Sequence, residues 1–148
     1  MSLIYMFIWL VGFTYLLLFS NEDLKKKEVN NVGVFCFFIL GMVVVSLIEK
    51  SWIVMALMCV TAIMGLVMWN KKIIGGADVK ILPSMIPFIM LGSTNYFYSY
   101  LSFLLIFAMV GSSYALIYKN FFGKKRTKYI PFVPALVITY VLSALLIR

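Results

Sequence analysis

The chain has 148 residues, of which 64% are hydrophobic and only 12% are charged. A soluble domain has about 45–50% apolar and about 25% charged residues, so this chain cannot cover a folded surface with polar groups. The composition excludes an ordinary soluble enzyme, a disordered chain and a fibrous protein, and it predicts an all-α integral membrane protein. The net charge of +8 would suit nucleic acid, but the basic residues lie in short breaks between apolar runs. That pattern predicts membrane topology and no nucleic-acid partner.

Long uncharged runs indicate where the chain crosses the bilayer. They cover residues 1–21, 29–48, 51–70, 81–118 and 129–147. A helix needs about 20 apolar residues to cross the hydrocarbon core, so four of these runs are single spans. The run 81–118 is long enough for two spans, and Gly-Ser-Thr-Asn at residues 92–95 marks a turn near its middle.

The positions of Lys and Arg decide how that long run is divided. With six spans, 11 basic residues fall on one side of the membrane and 2 on the other, whereas a single long span gives 7 and 6. The 11 residues are Lys25, Lys26, Lys27, Lys71, Lys72, Lys80, Lys119, Lys124, Lys125, Arg126 and Lys128. Because cytoplasmic loops collect Lys and Arg, we predict a bundle of six transmembrane helices with both termini on the extracytoplasmic side. Residues 1–148 are expected to form one transmembrane domain.

The fourth span is expected to begin before its uncharged run. Only 11 residues lie between Lys80 and the turn, and two prolines interrupt them. At 1.5 Å per residue that piece is about 16 Å long, too short to cross the bilayer alone. We therefore expect the span to run from near residues 76–78 to near Phe97, which places Asp78 at the membrane boundary.

The chain has two aspartates, Asp23 and Asp78, and both lie on the predicted cytoplasmic face. Two carboxyl groups held close together share a proton, because both cannot ionise easily. Such a pair can hydrolyse a peptide: the ionised acid takes a proton from water, and the protonated acid stabilises the carbonyl oxygen. This chemistry uses no metal and no histidine, and the chain contains no His. A carboxyl group at a membrane edge beside lysines is also typical of a solvated loop, so both interpretations stay open.

Three short segments resemble the motifs of a known family. They are Asp-Leu-Lys-Lys-Lys-Glu-Val-Asn-Asn at residues 23–31, Gly-Gly-Ala-Asp-Val-Lys at 75–80 and Ile-Pro-Phe-Val-Pro at 130–134. In this order they resemble the type IV prepilin peptidases and archaeal preflagellin peptidases, which are membrane aspartyl proteases of the GxGD type. The resemblance extends over essentially the whole chain. It departs at Ala77, where the motif has a second Gly, and at Asn30, where Pro is common.

The resemblance implies an aspartic-type endopeptidase in the cell membrane. It would cut the basic leader (a class III signal peptide) from pilin-like or archaellin-like precursors at the cytoplasmic face. Its partners would be the precursor and the lipid bilayer, with no cofactor and no metal. Asp23 and Asp78 would be the catalytic pair. Nothing in the sequence resembles the Cys-rich domain with which larger members N-methylate the trimmed pilin, so peptidase activity alone is expected.

Residues around the aspartates have predicted supporting roles. Gly75 and Gly76 carry no side chain, so a substrate strand can approach the backbone beside Asp78. Glu22 and Glu28 lie close to Asp23 on a face rich in Lys and Arg. One hypothesis is that they form an acidic patch that binds the basic leader, and the plainer interpretation is solvated loop charge. A left-handed backbone at Ala77 would cost about 1 kcal/mol or more.

Two other functions are compatible with paired acids in a membrane bundle. A small transporter or channel subunit can use such acids to pass ions or protons, but that pair is expected near the middle of the bilayer. A nonenzymatic pilus-assembly factor would tolerate the loss of either aspartate.

Overall fold

A computed structural model describes residues 3–26, 28–71, 74–122 and 130–146. Within these ranges the regular structure is entirely helical, which confirms the predicted all-α class. The helices are α1 (Leu3–Lys26), α2 (Asn31–Val44), α3 (Trp52–Asn70), α4 (Gly76–Met90), α5 (Tyr96–Phe122) and α6 (Val133–Leu146). A π-helical turn, Val45–Glu49, extends α2.

Four stretches are long and apolar enough to cross a bilayer, judged by length and composition. They are Leu3–Lys26, Asn31–Glu49, Trp52–Asn70 and Tyr96–Phe121. The chain is therefore a multi-pass membrane protein. Helices α4 and α6 have only 15 and 14 residues. At 1.5 Å per residue each is about 20 Å long, less than the about 30 Å of the hydrocarbon core. Six crossings therefore stay a prediction.

The fourth helix ends earlier than the sequence predicted. It begins at Gly76, as expected, but it ends at Met90 and does not continue to Phe97. Gly92 has a positive φ of 75°, and the Ser93 N–H donates a hydrogen bond to the Met90 carbonyl oxygen at 2.9 Å. Glycine adopts this left-handed conformation without steric cost. The turn predicted at residues 92–95 is thus confirmed, and it starts before the apolar run has crossed a bilayer.

The first helix extends beyond its uncharged run. It continues through Asp23 to Lys26. Lysine has a high helix propensity, and Lys25 and Lys26 complement the negative end of the helix dipole in the last turn. Asp23 therefore lies inside a helix and not in the loop that follows it.

Helix α4 is the centre of the bundle. It packs against each of the other five α-helices, and 11 of its 15 residues are buried. Pro83 and Pro87 lie inside it. Each proline lacks the N–H that would bond to the carbonyl four residues earlier. Packing against the neighbouring helices therefore stabilises the helix in place of these two hydrogen bonds.

Helices α1, α4 and α6 meet closely at Gly12. A β-carbon at this position would lie 2.6 Å from the Tyr140 hydroxyl oxygen and 3.0 Å from the Phe88 ring. Tyr140, on α6, donates a hydrogen bond to the Trp9 carbonyl oxygen at 3.0 Å and stacks on the Trp9 ring. This packing holds the C-terminal end of α1 and the N-terminal ends of α4 and α6 at the same end of the bundle.

Candidate active site

Asp23 is buried in the last turn of α1, with 4% of its surface exposed. Its Oδ2 accepts a hydrogen bond at 3.1 Å from the backbone N–H of Val133, the first residue of α6. The backbone N–H of Phe132 is a second partner of this carboxyl group. The N–H groups at a helix N-terminus have no partner within the helix and carry its positive partial charge. The start of α6 therefore binds the Asp23 side chain.

Asp78 is buried in the first turn of α4, with 2% of its surface exposed. Its Oδ2 accepts a hydrogen bond from the Gly75 N–H at 3.1 Å. Its Oδ1 is buried and has no hydrogen-bond partner among the described residues. Because an unsatisfied buried oxygen is costly, Oδ1 is the atom of this carboxyl group that a ligand would stabilise by binding.

The two carboxyl groups interact although they come from different helices. Asp78 lies outside the four long apolar helices. Burial raises the pKa of Asp78 to about 7, the charge of Asp23 acts in the same direction, and the Gly75 hydrogen bond opposes both. The structure thus brings together the two predicted site aspartates. Neither of them is a solvated loop residue.

Gly75 and Gly76 begin α4 but have different surroundings. Gly75 has φ −75° and ψ 160°, a conformation open to any residue. A β-carbon on Gly75 would lie 3.1 Å from Asp78 Oδ2, whereas one on Gly76 would be 3.8 Å from Trp69 Nε1. Gly75 therefore leaves space for the carboxyl group, a role that the sequence reasoning missed. The predicted role of both glycines in substrate approach stays a prediction.

The alanine that replaces the motif glycine causes no backbone strain. Ala77 is the second residue of α4. Among the described residues only Lys50 and Gly92 have a positive φ. Ala77 therefore does not adopt the left-handed conformation whose cost was considered above, because the helix has already begun one residue earlier.

Glu22 and Glu28 differ in their contacts. Glu22 Oε2 accepts a hydrogen bond from the Asn30 N–H at 2.9 Å and so closes the loop between α1 and α2. Asn30 Oδ1 in turn accepts from the Val32 N–H at 2.9 Å and caps α2. A proline at this position could not donate to Glu22, which accounts for the departure from the family motif. Glu28 is exposed.

Lys80 ties the start of α4 to α2. Its Nζ donates a hydrogen bond to Asn31 Oδ1 at 2.6 Å. The sequence offered no specific signal for this contact, because a lysine at a helix end usually reaches for water. Within the described ranges, no group of three or more Asp, Glu, Cys or His side chains could hold a metal ion.

The fold and the site define a multi-pass membrane protein with a buried pair of carboxyl groups at one end of its bundle. Residues 10–147 match the type IV leader peptidase family. The chain belongs to this family of proteases, as its three motifs predicted. Neither a curated protein nor a solved structure matches the chain.

We expect Asp78 to make the stability of the protein pH-dependent. Its pKa is about 7 in the folded state and 3.8 for the unperturbed side chain, so the folded state holds the proton more tightly. The free energy of unfolding should therefore fall by up to about 4 kcal/mol as the pH rises from about 4 to about 7. Above about pH 7 it should stay at this lower value. Asp78→Asn is neutral throughout and should flatten this part of the profile. Thermal unfolding in detergent at a series of pH values measures the effect.

Glu28→Gln is the matched control, because it removes an acid from an exposed position. It should keep the wild-type slope. An unchanged slope in Asp78→Asn, or an equal flattening in Glu28→Gln, would contradict the role given to Asp78.

Proposed function

We propose that the chain is a membrane-embedded aspartyl endopeptidase that removes the basic leader from pilin-like or archaellin-like precursors. One observation carries the proposal: two buried carboxyl groups, Asp23 and Asp78, come from different helices and interact at one end of the bundle. Membership in the type IV leader peptidase family supports it. The aspartates are the catalytic pair, and the scissile amide lies between them during the reaction.

The proposed chemistry follows from the pair sharing one proton. The ionised carboxylate removes a proton from a water molecule, whose oxygen attacks the scissile carbonyl carbon. The protonated carboxyl group donates a hydrogen bond to the carbonyl oxygen and stabilises the tetrahedral intermediate. Burial strengthens both interactions, because little water competes for the charges.

We further propose six crossings of the cell membrane, with both termini outside and the site facing the cytoplasm. Lys25 and Lys26 end α1 beside the carboxyl pair, and basic residues mark the cytoplasmic ends of spans. In this arrangement residues 1–148 are one transmembrane peptidase domain. The enzyme cuts where the apolar helix of a precursor leaves the bilayer, so the helix stays in the membrane.

The position of the pair favours a peptidase over a transporter. A transport pair is expected near the middle of the bilayer, whereas Asp23 and Asp78 lie in terminal turns of α1 and α4. An experiment can distinguish a nonenzymatic assembly factor from a peptidase, because the assembly factor would keep its function after the loss of either aspartate.

The first test is co-expression with a tagged precursor that has a short basic leader, a glycine before the cut and a long apolar helix. The wild type should give a shortened product on a gel. Asp23→Asn and Asp78→Asn should each reduce its formation by at least about a hundredfold, because each removes a partner in proton transfer.

The control is Lys26→Gln, which removes an exposed charge three residues from Asp23 in the same turn. It should process the precursor, and all variants should accumulate in the membrane to equal levels. Normal processing by either asparagine variant would exclude the aspartyl mechanism, whereas the absence of a product with the wild type would leave the assembly factor as the alternative.

Gly75 and Gly76 should affect different kinetic parameters. A β-carbon on Gly75 crowds Asp78 Oδ2, so Gly75→Ala should lower kcat by about tenfold or more with little change in KM. Gly76→Ala has room in the free enzyme and should mainly raise KM, because the β-carbon narrows the approach of the substrate strand. Cleavage kinetics of a detergent-solubilised precursor give both values. Equal effects of the two substitutions on kcat would contradict this division.

The acidic patch is tested at Glu28, because Glu22 also closes a loop. Glu28→Lys should raise KM by about two- to fivefold for a basic leader, as expected for an exposed charge pair. It should leave the KM unchanged for a precursor whose leader lysines are replaced by glutamine. An identical response of both precursors would show that Glu28 does not bind the leader.

A further inference from the structure

We propose that the start of α6 makes the carboxyl pair unequal: it holds Asp23 as the ionised carboxylate that activates water and leaves Asp78 as the protonated acid that binds the scissile carbonyl. This inference rests on the function proposed above. It assigns a separate chemical role to each acid and makes the N-terminal backbone of α6 a positioning element for the reaction.

Burial opposes a charge on both acids, and the backbone contacts of Asp23 offset this cost in favour of its charged form. Its Oδ2 accepts from the buried Val133 N–H at 3.1 Å, and the Phe132 N–H is a second donor. An ionised carboxylate only accepts hydrogen bonds, and bonds to it are stronger than those to a neutral carboxyl group. The positive end of the α6 dipole acts in the same direction and opposes the negative end of the α1 dipole, because Asp23 lies in the last turn of α1.

The contacts of Asp78 favour its neutral form. It is as buried as Asp23, and among the described residues it has one backbone donor, the Gly75 N–H, on Oδ2. The positive end of the α4 dipole favours a charge on Asp78, but it does not supply a hydrogen bond to Oδ1. An ionised Asp78 would leave a charged oxygen, Oδ1, buried without a hydrogen bond from any described residue. The proton that the pair shares therefore belongs on Asp78, where Oδ1 can donate it to a ligand.

The groups that face Asp23 from other elements do not replace α6. Among the described residues these groups are Asp78 on α4 and Tyr114 on α5, and neither supplies a positive charge. Lys25 and Lys26, on α1 itself, are exposed to solvent. Among these described groups, the backbone at the start of α6 is the element that stabilises a negative charge on Asp23.

The assignment gives a balanced reaction sequence. Asp23 takes a proton from water as the water oxygen bonds to the carbonyl carbon, and Asp78 passes its proton to the carbonyl oxygen. The resulting gem-diol then collapses: Asp23 gives its proton to the amide nitrogen, the C–N bond breaks, and Asp78 takes a proton back from a hydroxyl group. Both side chains return to their initial states, and the products are a carboxylic acid and an amine.

A single substitution removes the hydrogen bond from α6 while it preserves the helix. Val133 is the first residue of α6, where a proline is favoured because its missing N–H is not used within the helix. In Val133→Pro the ionised Asp23 loses a donor. The acid limb of the pH–rate profile for precursor cleavage should therefore move to higher pH by about one unit.

Val133→Ala is the matched control, because it changes the side chain and keeps the N–H. The measurement is the pH at which the rate falls on the acid side, not the absolute rate. In Val133→Ala this pH should equal that of the wild type. A Val133→Pro limb that coincides with that of Val133→Ala would overturn the assignment. It would leave the proposed function intact, which fails only if the wild type does not cleave or the asparagine variants do.

Infrared spectroscopy gives a second measurement that needs neither cleavage nor the proline variant. At about pH 6, below the pKa of Asp78, the wild type should show the carbonyl band of one buried protonated carboxyl group. The band should be lost in Asp78→Asn and kept in Asp23→Asn, because burial of Asp78 is unchanged there. A band that is kept in Asp78→Asn and lost in Asp23→Asn would reverse the roles and overturn the inference.

Discussion

Two buried acids interact electrostatically, and the free-energy cost of ionising both is the constraint on which the site depends. One negative charge is tolerated there because backbone N–H groups and helix dipoles stabilise it, whereas a second would be opposed by both burial and repulsion. Asp78 consequently keeps its proton up to about pH 7. In the proposed mechanism, the same desolvation that makes a second charge costly provides a proton donor and a proton acceptor together at neutral pH.

The positions of the helix ends explain how the bundle stabilises that charge. The N-termini of α4 and α6 both meet the C-terminal end of α1. Two positive helix ends therefore converge on the acids, while the C-terminal end of α1, whose dipole would oppose a negative charge, also carries exposed lysines. Gly75 lets the backbone reach one carboxyl group, and the segment that begins α6 supplies the other contact. Each of the three family motifs thus contributes residues to the surroundings of the two carboxyl groups.

Hydropathy and charge were sufficient to predict a helical membrane protein. Motif resemblance pointed to Asp23 and Asp78 as a pair, and both are buried and interact in the structure, while their catalytic role stays a prediction. The end of α4 and the helical position of Asp23 were not predictable, because they depend on tertiary packing and on where a helix leaves the bilayer. The contact between Asp23 and Val133 joins residues 110 positions apart through a backbone N–H, a group that nearly every residue has. No residue type marks such a partner. The contact of Lys80 with Asn31 was missed for a similar reason, since many surfaces offer an amide oxygen.

The two prolines of α4 have a mechanical consequence for the acid that precedes them. Pro83 cannot donate to the Val79 carbonyl and Pro87 cannot donate to the Pro83 carbonyl, so the first turn is joined to the rest of its helix by fewer backbone bonds. Packing against the neighbouring helices therefore contributes more to holding the first turn of α4 than backbone hydrogen bonds do. The position of the Asp78 carboxyl group consequently depends on how the other helices pack around α4.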